Sequence, residues 1–397
     1  MQGHVVRHFG IEAVSTRPNA GGFMDEKVKA ILDSRGLRRL DDRSIDETGK
    51  TLLGEIANFG RNAARAMRRY ADPRWQSRDL DVCFIDHASL NATVCSGEQS
   101  DWIVLNRGVI EIVYGNTLGL FGQPQFAPSL GEPKPPLGPS VGQLRSFPRY
   151  GLTCESEDER IAACTRPACT KRLELAKKIA WLACAFLVTH EIGHVMAGHL
   201  ELRRRNGFGD DWLEFEEGTS RELCDIPQWM LECDADAFAV QVHMELGMLD
   251  DNMFEEDPVL EGTYQVSRGT ARIERLLIAV SILFRSADWG GTCRSIRAGG
   301  THPSPHVRAC MCLVNALFVV LWRKRIDQDK STELVARTIG EVETMWREIR
   351  GVRPGAGGAN AVTGETLEVA TKMKQLVRDR MPEIEQFARL RPTWRHM

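Results

Sequence analysis

Apolar residues recur at helical spacing along most of the chain. Between Asp46 and Tyr70 they alternate with arginines in a pattern that predicts an amphipathic helix with a wet arginine face. Further apolar patterns predict helices at 171–198, 226–246, 271–286 and 307–323. From Ser331 onward, one or two amphipathic helices are predicted, interrupted by a glycine-rich segment at 351–364.

The pattern changes to strand-like alternation at Asp79. Strands are predicted at 80–86, 89–95 and 102–106, followed by a helix that opens at Arg107-Gly108 and covers 109–113. Together these strands predict a small antiparallel sheet with one strand at an edge. Residues 1–45 are polar and have few periodic apolar positions, so we expect no regular structure there.

These elements predict an α+β fold, mainly helical, in three parts. Residues 1–78 are an N-terminal extension with an amphipathic helix, 79–325 the main domain, and 326–397 a helical C-terminal extension. Within the main domain, about 122–170 is a Pro/Gly-rich insertion that continues through Cys154, Cys164 and Cys169. Because no paired Cys-x-x-Cys spacing occurs there, free thiols are favoured over a small structural zinc site.

Composition narrows the partners and the compartment. A formal net charge of −3 gives no general attraction to nucleic acid or to anionic membranes, so no nucleic-acid partner is expected. The apolar runs at 180–188, 276–284 and 309–322 are shorter than the ~20 residues that span a bilayer, so no integral membrane span is expected. The N-terminus lacks a signal-peptide core and eleven cysteines form no regular framework, which together predict a cytoplasmic protein.

One motif carries candidate chemistry, His190-Glu191-Ile192-Gly193-His194. Residues four apart share a helix face, so the two imidazoles can bind one metal ion. Glu191 can act on a water at that ion without being a ligand. A match of this length arises by chance in on the order of one chain in a hundred. The interpretation therefore requires a third ligand elsewhere in the chain.

The predicted helix at 226–246 offers this ligand. Glu232 and Asp236 are four positions apart and share one face. Glu232 can complete a site of two histidines and one carboxylate, and Asp236 can accept the outer ring N–H of His190. The alternative is that both carboxylates face water. The apolar Ala-Phe-Ala-Val segment that follows instead indicates a partly buried helix, in which a carboxylate pair needs a partner.

His199 is the rival third ligand. It lies nine positions after His190, on the opposite side of a continuous helix, and a turn at Gly198 is needed to bring it to the metal. We therefore expect His199 to be a helix-end residue near the C-terminal dipole.

The two motifs resemble those of the gluzincin metallopeptidases. His190-Glu-x-Gly-His194 and Glu232-x-x-Ala-Asp236 are similar to the signatures of the family that holds the CAAX prenyl endopeptidases, the HtpX-type heat-shock proteases and the mitochondrial Oma-type proteases. Leu90-Asn91-Ala92 with Gly108, and Thr301-His302-Pro303-Ser304 with Arg308, resemble further segments of that family. The resemblance covers roughly 80–115, 172–240 and 300–322. The Lit-type phage-exclusion peptidases are another His-Glu-x-x-His group that the chain resembles.

The resemblance implies a zincin-like hydrolase that cleaves protein or peptide substrates, a metalloprotease with one Zn²⁺ per chain. The implied ligands are His190, His194 and Glu232, with Glu191 as the general base. His302 would stabilise the oxyanion, and Arg308 would support that segment; a capped helix start at Thr301 is the alternative for His302. The strand at 102–106 is expected to take an extended peptide by strand addition. The absence of expected membrane spans disfavours prenyl-protein and membrane substrates.

Two other functions stay open. The chain could be a metal-binding regulatory or scaffold protein with a latent peptidase core, although inactive relatives often lose the residue equivalent to Glu191. A structural zinc with no open position is the third alternative, which a fourth protein ligand such as His199 would indicate.

Overall fold

The structure is a computed structural model that describes residues 26–40, 52–68, 78–123, 169–207, 211–213, 228–245, 268–289 and 364–386. Positions 24, 71–73, 75, 126, 130, 308, 309, 311, 312, 315, 316, 340, 342 and 388 are described in addition. In chain order the elements are α1 (Glu26–Ser34), α2 (Leu52–Arg68), β1 (Asp79–Ile85), β2 (Ala92–Ser96), β3 (Ser100–Asn106), α3 (Arg107–Gly122), α4 (Thr170–Ala197), α5 (His199–Arg205), β4 (Asp211–Leu213), α6 (Gln228–Glu245), α7 (Arg268–Trp289) and α8 (Gly364–Glu385).

Most of the predicted helices are confirmed, with shifts of a few residues at their ends. The patterns at 46–70, 171–198, 226–246 and 271–286 correspond to α2, α4, α6 and α7. The described positions between 308 and 316 are also helical. Helix α3 extends through Gly122, well beyond the predicted 109–113, because burial of its second half overrides the low helix propensity of its glycines.

The four strands form one mixed sheet in the order β1-β3-β2-β4. Strand β1 is parallel to β3, whereas β2 is antiparallel to both β3 and β4. The predicted antiparallel sheet is therefore wrong, because the β2–β3 hairpin folds back toward β1 and places β3 between the two preceding strands. Alternating apolar residues specify which face of a strand is buried but not its partner or direction.

Both faces of this sheet are covered. Val82 and Ile103 point into the main hydrophobic core, which contains the apolar residues of α4. Their neighbours Cys83 and Trp102 point to the other face and pack with Val28 and Leu32 of α1. The expectation that the first 45 residues lack regular structure is therefore wrong for α1. Its apolar residues Val28, Ile31 and Leu32 have helical spacing and belong to the cluster on this second face, but three residues are a short pattern.

The longest helix, α4, lies at the centre of the core. Every residue from Ile179 to Ala197 is buried, as in a helix surrounded by other elements. Helices α2, α3, α6 and α7 and strands β2 and β3 pack around it. Helices α2 and α4 contribute to the same hydrophobic core, and the division of the chain at residue 78 stays a prediction.

Helix α4 is also long and apolar enough to cross a membrane by length and composition. Its most apolar window has a mean hydropathy of 1.4, and 94% of that window is buried inside the protein. The apolar run at 180–188 is therefore much shorter than the 28-residue helix that contains it. Its burial among the neighbouring helices is that of a core helix, and no other helix among the described residues meets the same criterion.

Arg172 attaches the start of α4 to the end of α3. Its buried guanidinium donates hydrogen bonds to the backbone carbonyls of Phe121, Gln123, Phe126 and Leu130 at 2.8–3.1 Å. The beginning of the predicted surface insertion is thus part of the core, since Phe126 and Leu130 are both buried. Cys169 is half-buried and forms no disulfide bond with another described residue, while Cys154 and Cys164 lie outside the described residues.

Candidate metal centre

The end of α4 positions the His-Glu-x-x-His motif. Gly198 follows the helix with φ +81°, a left-handed conformation that glycine adopts without a steric penalty. Its N–H points back to the carbonyl oxygens of His194 and Val195. The predicted end of the helix near Gly198 is confirmed. The motif therefore occupies the last turns of a buried helix, where His190, Glu191 and His194 are each 0% exposed.

Three candidate ligand atoms converge at this helix end. Nε2 of His190 lies 3.0 Å from Nε2 of His194, and Oε2 of Glu232 lies 3.3 Å and 3.7 Å from these two nitrogens. Ligand atoms at about 2.0–2.1 Å from a tetrahedral zinc ion are ~3.3 Å apart. The observed separations average to that value. Among the described residues, these three side chains form the one group of histidine, cysteine and acidic residues that could hold a metal ion.

Gly193 allows α6 to bring Glu232 this close. A Cβ atom at Gly193 would lie 3.1 Å from Cδ1 of Phe238 and 3.2 Å from Cα of Ala235. Since protein cores are close-packed, any larger residue would push the two helices apart. Glu232 lies about one helical turn before Ala235. The glycine inside the motif thus controls the distance between the histidines on α4 and the carboxylate on α6.

Asp236 and Arg308 hold the outer side of His190. Nδ1 of His190 lies 2.9 Å from Oδ1 of Asp236. Arg308 donates to both oxygens of the same carboxylate, at 2.8 and 3.0 Å, and its guanidinium carbon lies 4.2 Å from the centre of the Phe284 ring. The structure therefore places Asp236 between the imidazole and a buried, fixed positive charge.

His199 lies beside the motif but outside the group of ligand atoms. Helix α5 begins at this residue, after the turn at Gly198. Nδ1 of His199 is 2.8 Å from Nδ1 of His194, on the side of that ring opposite the converging atoms. Its Nε2 is 3.2 Å from Oδ2 of Asp234. The helix-end position matches the expectation, but the contacts are with His194 and Asp234, which counting along a continuous helix missed because the left-handed turn redirects the chain.

The positions of the ring protons on His190 and His194 suit a bound cation. Burial lowers the pKa of His194 to about 4, outweighing the opposite effect of Glu232, so this imidazole is neutral at pH 7. On His190, the ring proton belongs on Nδ1, which faces the Asp236 carboxylate, and Nε2 is left as a bare lone pair. Two imidazoles and one carboxylate are a donor set that zinc accepts in open, catalytic sites.

Two further predictions concern His302 and the strand at 102–106. His302 lies outside the described residues, so its role at an oxyanion stays a prediction. The segment from Trp102 to Asn106 belongs to β3, which is hydrogen-bonded to a strand on each side. The expectation that it takes a peptide by strand addition is therefore wrong, because strand addition requires an unpaired edge.

Two contacts near the candidate centre were not predicted from the sequence. The sequence assigns Gly193 no packing role, although it lies at the contact between α4 and α6. Asp234 was assigned no contact, although it reaches His199.

Comparison of the chain with protein-family models, with curated proteins and with solved structures finds no match.

Proposed function

We propose that the protein is a zinc-dependent endopeptidase of the gluzincin type. The observation that carries the proposal is the convergence of His190, His194 and Glu232 within 4.8 Å of one another. Glu191, the base of a His-Glu-x-x-His helix, follows the first of these ligands directly. The resemblance of both motifs to the family of CAAX prenyl endopeptidases, HtpX-type and Oma-type proteases supports the same reaction.

In this proposal His190, His194 and Glu232 would hold the ion. When bound, zinc supplies a Lewis acid that polarises a carbonyl group and lowers the pKa of a water molecule. Asp236 keeps the imidazole of His190 in the tautomer that leaves Nε2 free, and Arg308 holds Asp236 in place. Glu191 takes the proton of the attacking water and delivers it to the leaving amine. The apolar surroundings keep other water away from this proton transfer.

Burial of the centre supports a second candidate function. His190, Glu191, His194 and Glu232 are all 0% exposed, so a peptide reaches Glu191 only after part of the chain moves. A metal-binding regulatory or scaffold protein with a latent peptidase core would have this property. The presence of Glu191 favours the peptidase, since a protein that only binds the ion requires no general base beside it.

The experiment measures zinc content and peptide cleavage in parallel. The purified chain is loaded with zinc, analysed for metal, and incubated with casein and with a proteome-derived peptide library read by mass spectrometry. Glu191→Gln is the test variant. Glu174→Gln is the matched control, because Glu174 is on the same helix, is exposed and forms a surface pair with Lys177.

If the protein is the proposed peptidase, the wild type, Glu191→Gln and Glu174→Gln should each bind about one zinc ion per chain. Of these three, the wild type and Glu174→Gln should cleave peptides and Glu191→Gln should not. Cleavage that persists in Glu191→Gln contradicts the mechanism. A wild-type protein that binds zinc but cleaves nothing in either assay supports the latent metal-binding protein instead.

A further inference from the structure

We infer that His199 and Asp234 form a positioning pair that sets the tautomer and ring orientation of His194. The inference rests on the zinc site of the proposed function but does not require peptidase activity. Its basis is the chain of contacts from Asp234 Oδ2 to His199 Nε2 at 3.2 Å, and from His199 Nδ1 to His194 Nδ1 at 2.8 Å.

The direction of the hydrogen bonds follows from the Asp234 end. A carboxylate is an acceptor only, so Nε2 of His199 carries the proton that it donates to Asp234. When His199 carries only this one ring proton, its other nitrogen is an acceptor. Nδ1 of His199 therefore accepts from Nδ1–H of His194, and Nε2 of His194 is left with a bare lone pair.

That lone pair is the one the candidate centre uses. Nε2 of His194 is the atom that lies 3.0 Å from Nε2 of His190 and 3.7 Å from Glu232. The opposite arrangement, with a proton on Nδ1 of His199, would remove the proton from Nδ1 of His194 and place it on Nε2. A histidine protonated at Nε2 cannot bind a metal through that nitrogen.

The two histidines of the motif are thus supported from the same helix by different routes. Asp236 of α6 faces Nδ1 of His190 directly, whereas Asp234 of α6 acts on His194 through the imidazole of His199. Glu232 on the same helix contributes the third ligand atom. One helix therefore supplies a ligand and fixes the proton positions on both imidazoles.

A purely structural histidine would need no contact with His194. His199 is 0% exposed, and a hydrogen bond to Asp234 from Nε2 satisfies only one of its ring nitrogens. The second ring nitrogen is used on His194, with a single proton between two Nδ1 atoms. The tautomers of the two rings are therefore coupled, which makes the pair testable apart from stability.

The test compares His199→Leu with His199→Asn. Oδ1 of asparagine occupies nearly the position of Nδ1 of histidine, so it can accept from His194, whereas leucine of similar size cannot. Zinc affinity is measured by competition with a chelator, using zinc alone. Loss of such an outer partner typically weakens metal binding 10- to 100-fold, so we expect that loss for leucine and a change of only a few-fold for asparagine. Asp234→Ala should lose less than His199→Leu, because an acceptor at Nδ1 of His199 remains available.

A second measurement uses the metal-free protein. Nitrogen-15 NMR of labelled histidines reports which ring nitrogen carries the proton. The fraction of His194 protonated at Nδ1 should be similar in the wild type and in His199→Asn, and lower in His199→Leu. Urea unfolding of the metal-free variants shows whether each of them is folded.

The outcomes separate this inference from the proposed function. Equal zinc affinity in wild type and His199→Leu, or equal loss in the leucine and asparagine variants while both are folded, overturns the positioning role. So does an equal Nδ1-protonated fraction of His194 in the metal-free wild type and His199→Leu. If the wild type bound no zinc, the proposed function would fail, whereas the tautomers measured without metal would still decide the role of His199.

Discussion

Replacing Arg308 with methionine removes a positive charge from the core and keeps a long apolar side chain in its place. Arg308 is 1% exposed and binds both oxygens of Asp236. It also lies 3.9 Å from Oε2 of Glu232. Arg308→Met therefore leaves two neighbouring buried carboxylates without the guanidinium that faces them. Breaking a buried pair in this way costs about 3–5 kcal/mol, and losing the contact with Phe284 adds up to about 2 kcal/mol.

The free energy of unfolding is measured by urea titration of the metal-free protein, because bound zinc would add its own linkage to stability. The double variant Asp236→Leu/Arg308→Met should regain about 2 kcal/mol or more relative to Arg308→Met, since neither partner of the pair is left charged. Arg65→Met is the control. Arg65 is exposed on α2, and its replacement should change stability by no more than about 0.5 kcal/mol.

A loss below about 1 kcal/mol in Arg308→Met would refute this reasoning. Equal stability of the single and double variants would do so too, because the loss would then not come from leaving Asp236 with an unbalanced charge. Zinc affinity of the same variants shows whether the stability of the pair and the orientation of His190 are connected.

Three further predictions concern the packing around the centre and its pH dependence. Gly193→Ala should weaken zinc binding on the order of ten-fold, since separating α4 and α6 by a few tenths of an ångström exceeds the ~0.2 Å tolerance of metal–ligand distances. The free energy of unfolding of Gly193→Ala should stay within about 1 kcal/mol of wild type, because overpacking opposes the gain in helix propensity. Gly340→Ala, whose Cβ would meet nothing within 4 Å, is the control. Unchanged zinc affinity in Gly193→Ala would show that this glycine does not set the distance between the ligands. Gly108→Ala should destabilise the metal-free protein by more than about 3 kcal/mol in urea, because its Cβ would lie 2.1 Å from the carbonyl oxygen of Ala88; a soluble variant of wild-type stability would show that this close approach is not required. Burial lowers the pKa of His243 from 6.5 to about 4, so its folded-state pKa lies below the unfolded value, and stability present above pH 6.5 is lost as the pH falls toward 4. This group should account for about 3 kcal/mol of that loss, and His243→Phe should remove it from the pH dependence of urea unfolding; an identical pH dependence in both proteins would contradict the assignment.

The helices were predictable because their signal is local. The apolar spacing that gives α2, α4, α6 and α7 reflects the period of the helix itself, which backbone hydrogen bonding fixes within a few residues. The sheet was less predictable. The alternation in β3 identified a strand but not its neighbours, and β3 proved to be interior and parallel to β1. Helix α1 was not predicted although Val28, Ile31 and Leu32 have helical spacing, because three apolar residues are a short pattern.

By itself, the sequence determined the local half of the candidate centre. His190, Glu191 and His194 share the end of one helix because positions four apart lie on one face, and Gly198 ends that helix by its own conformational freedom. The spacing of Glu232 and Asp236 also indicated where the remaining carboxylates were to be found. Only the tertiary structure decided that Glu232 approaches the two imidazoles, through the contact of α4 and α6 at Gly193, that Arg308 meets Asp236, and that His199 turns back onto His194. Such contacts depend on how helices pack and where the chain turns, and a pattern of neighbouring residues carries little information about either.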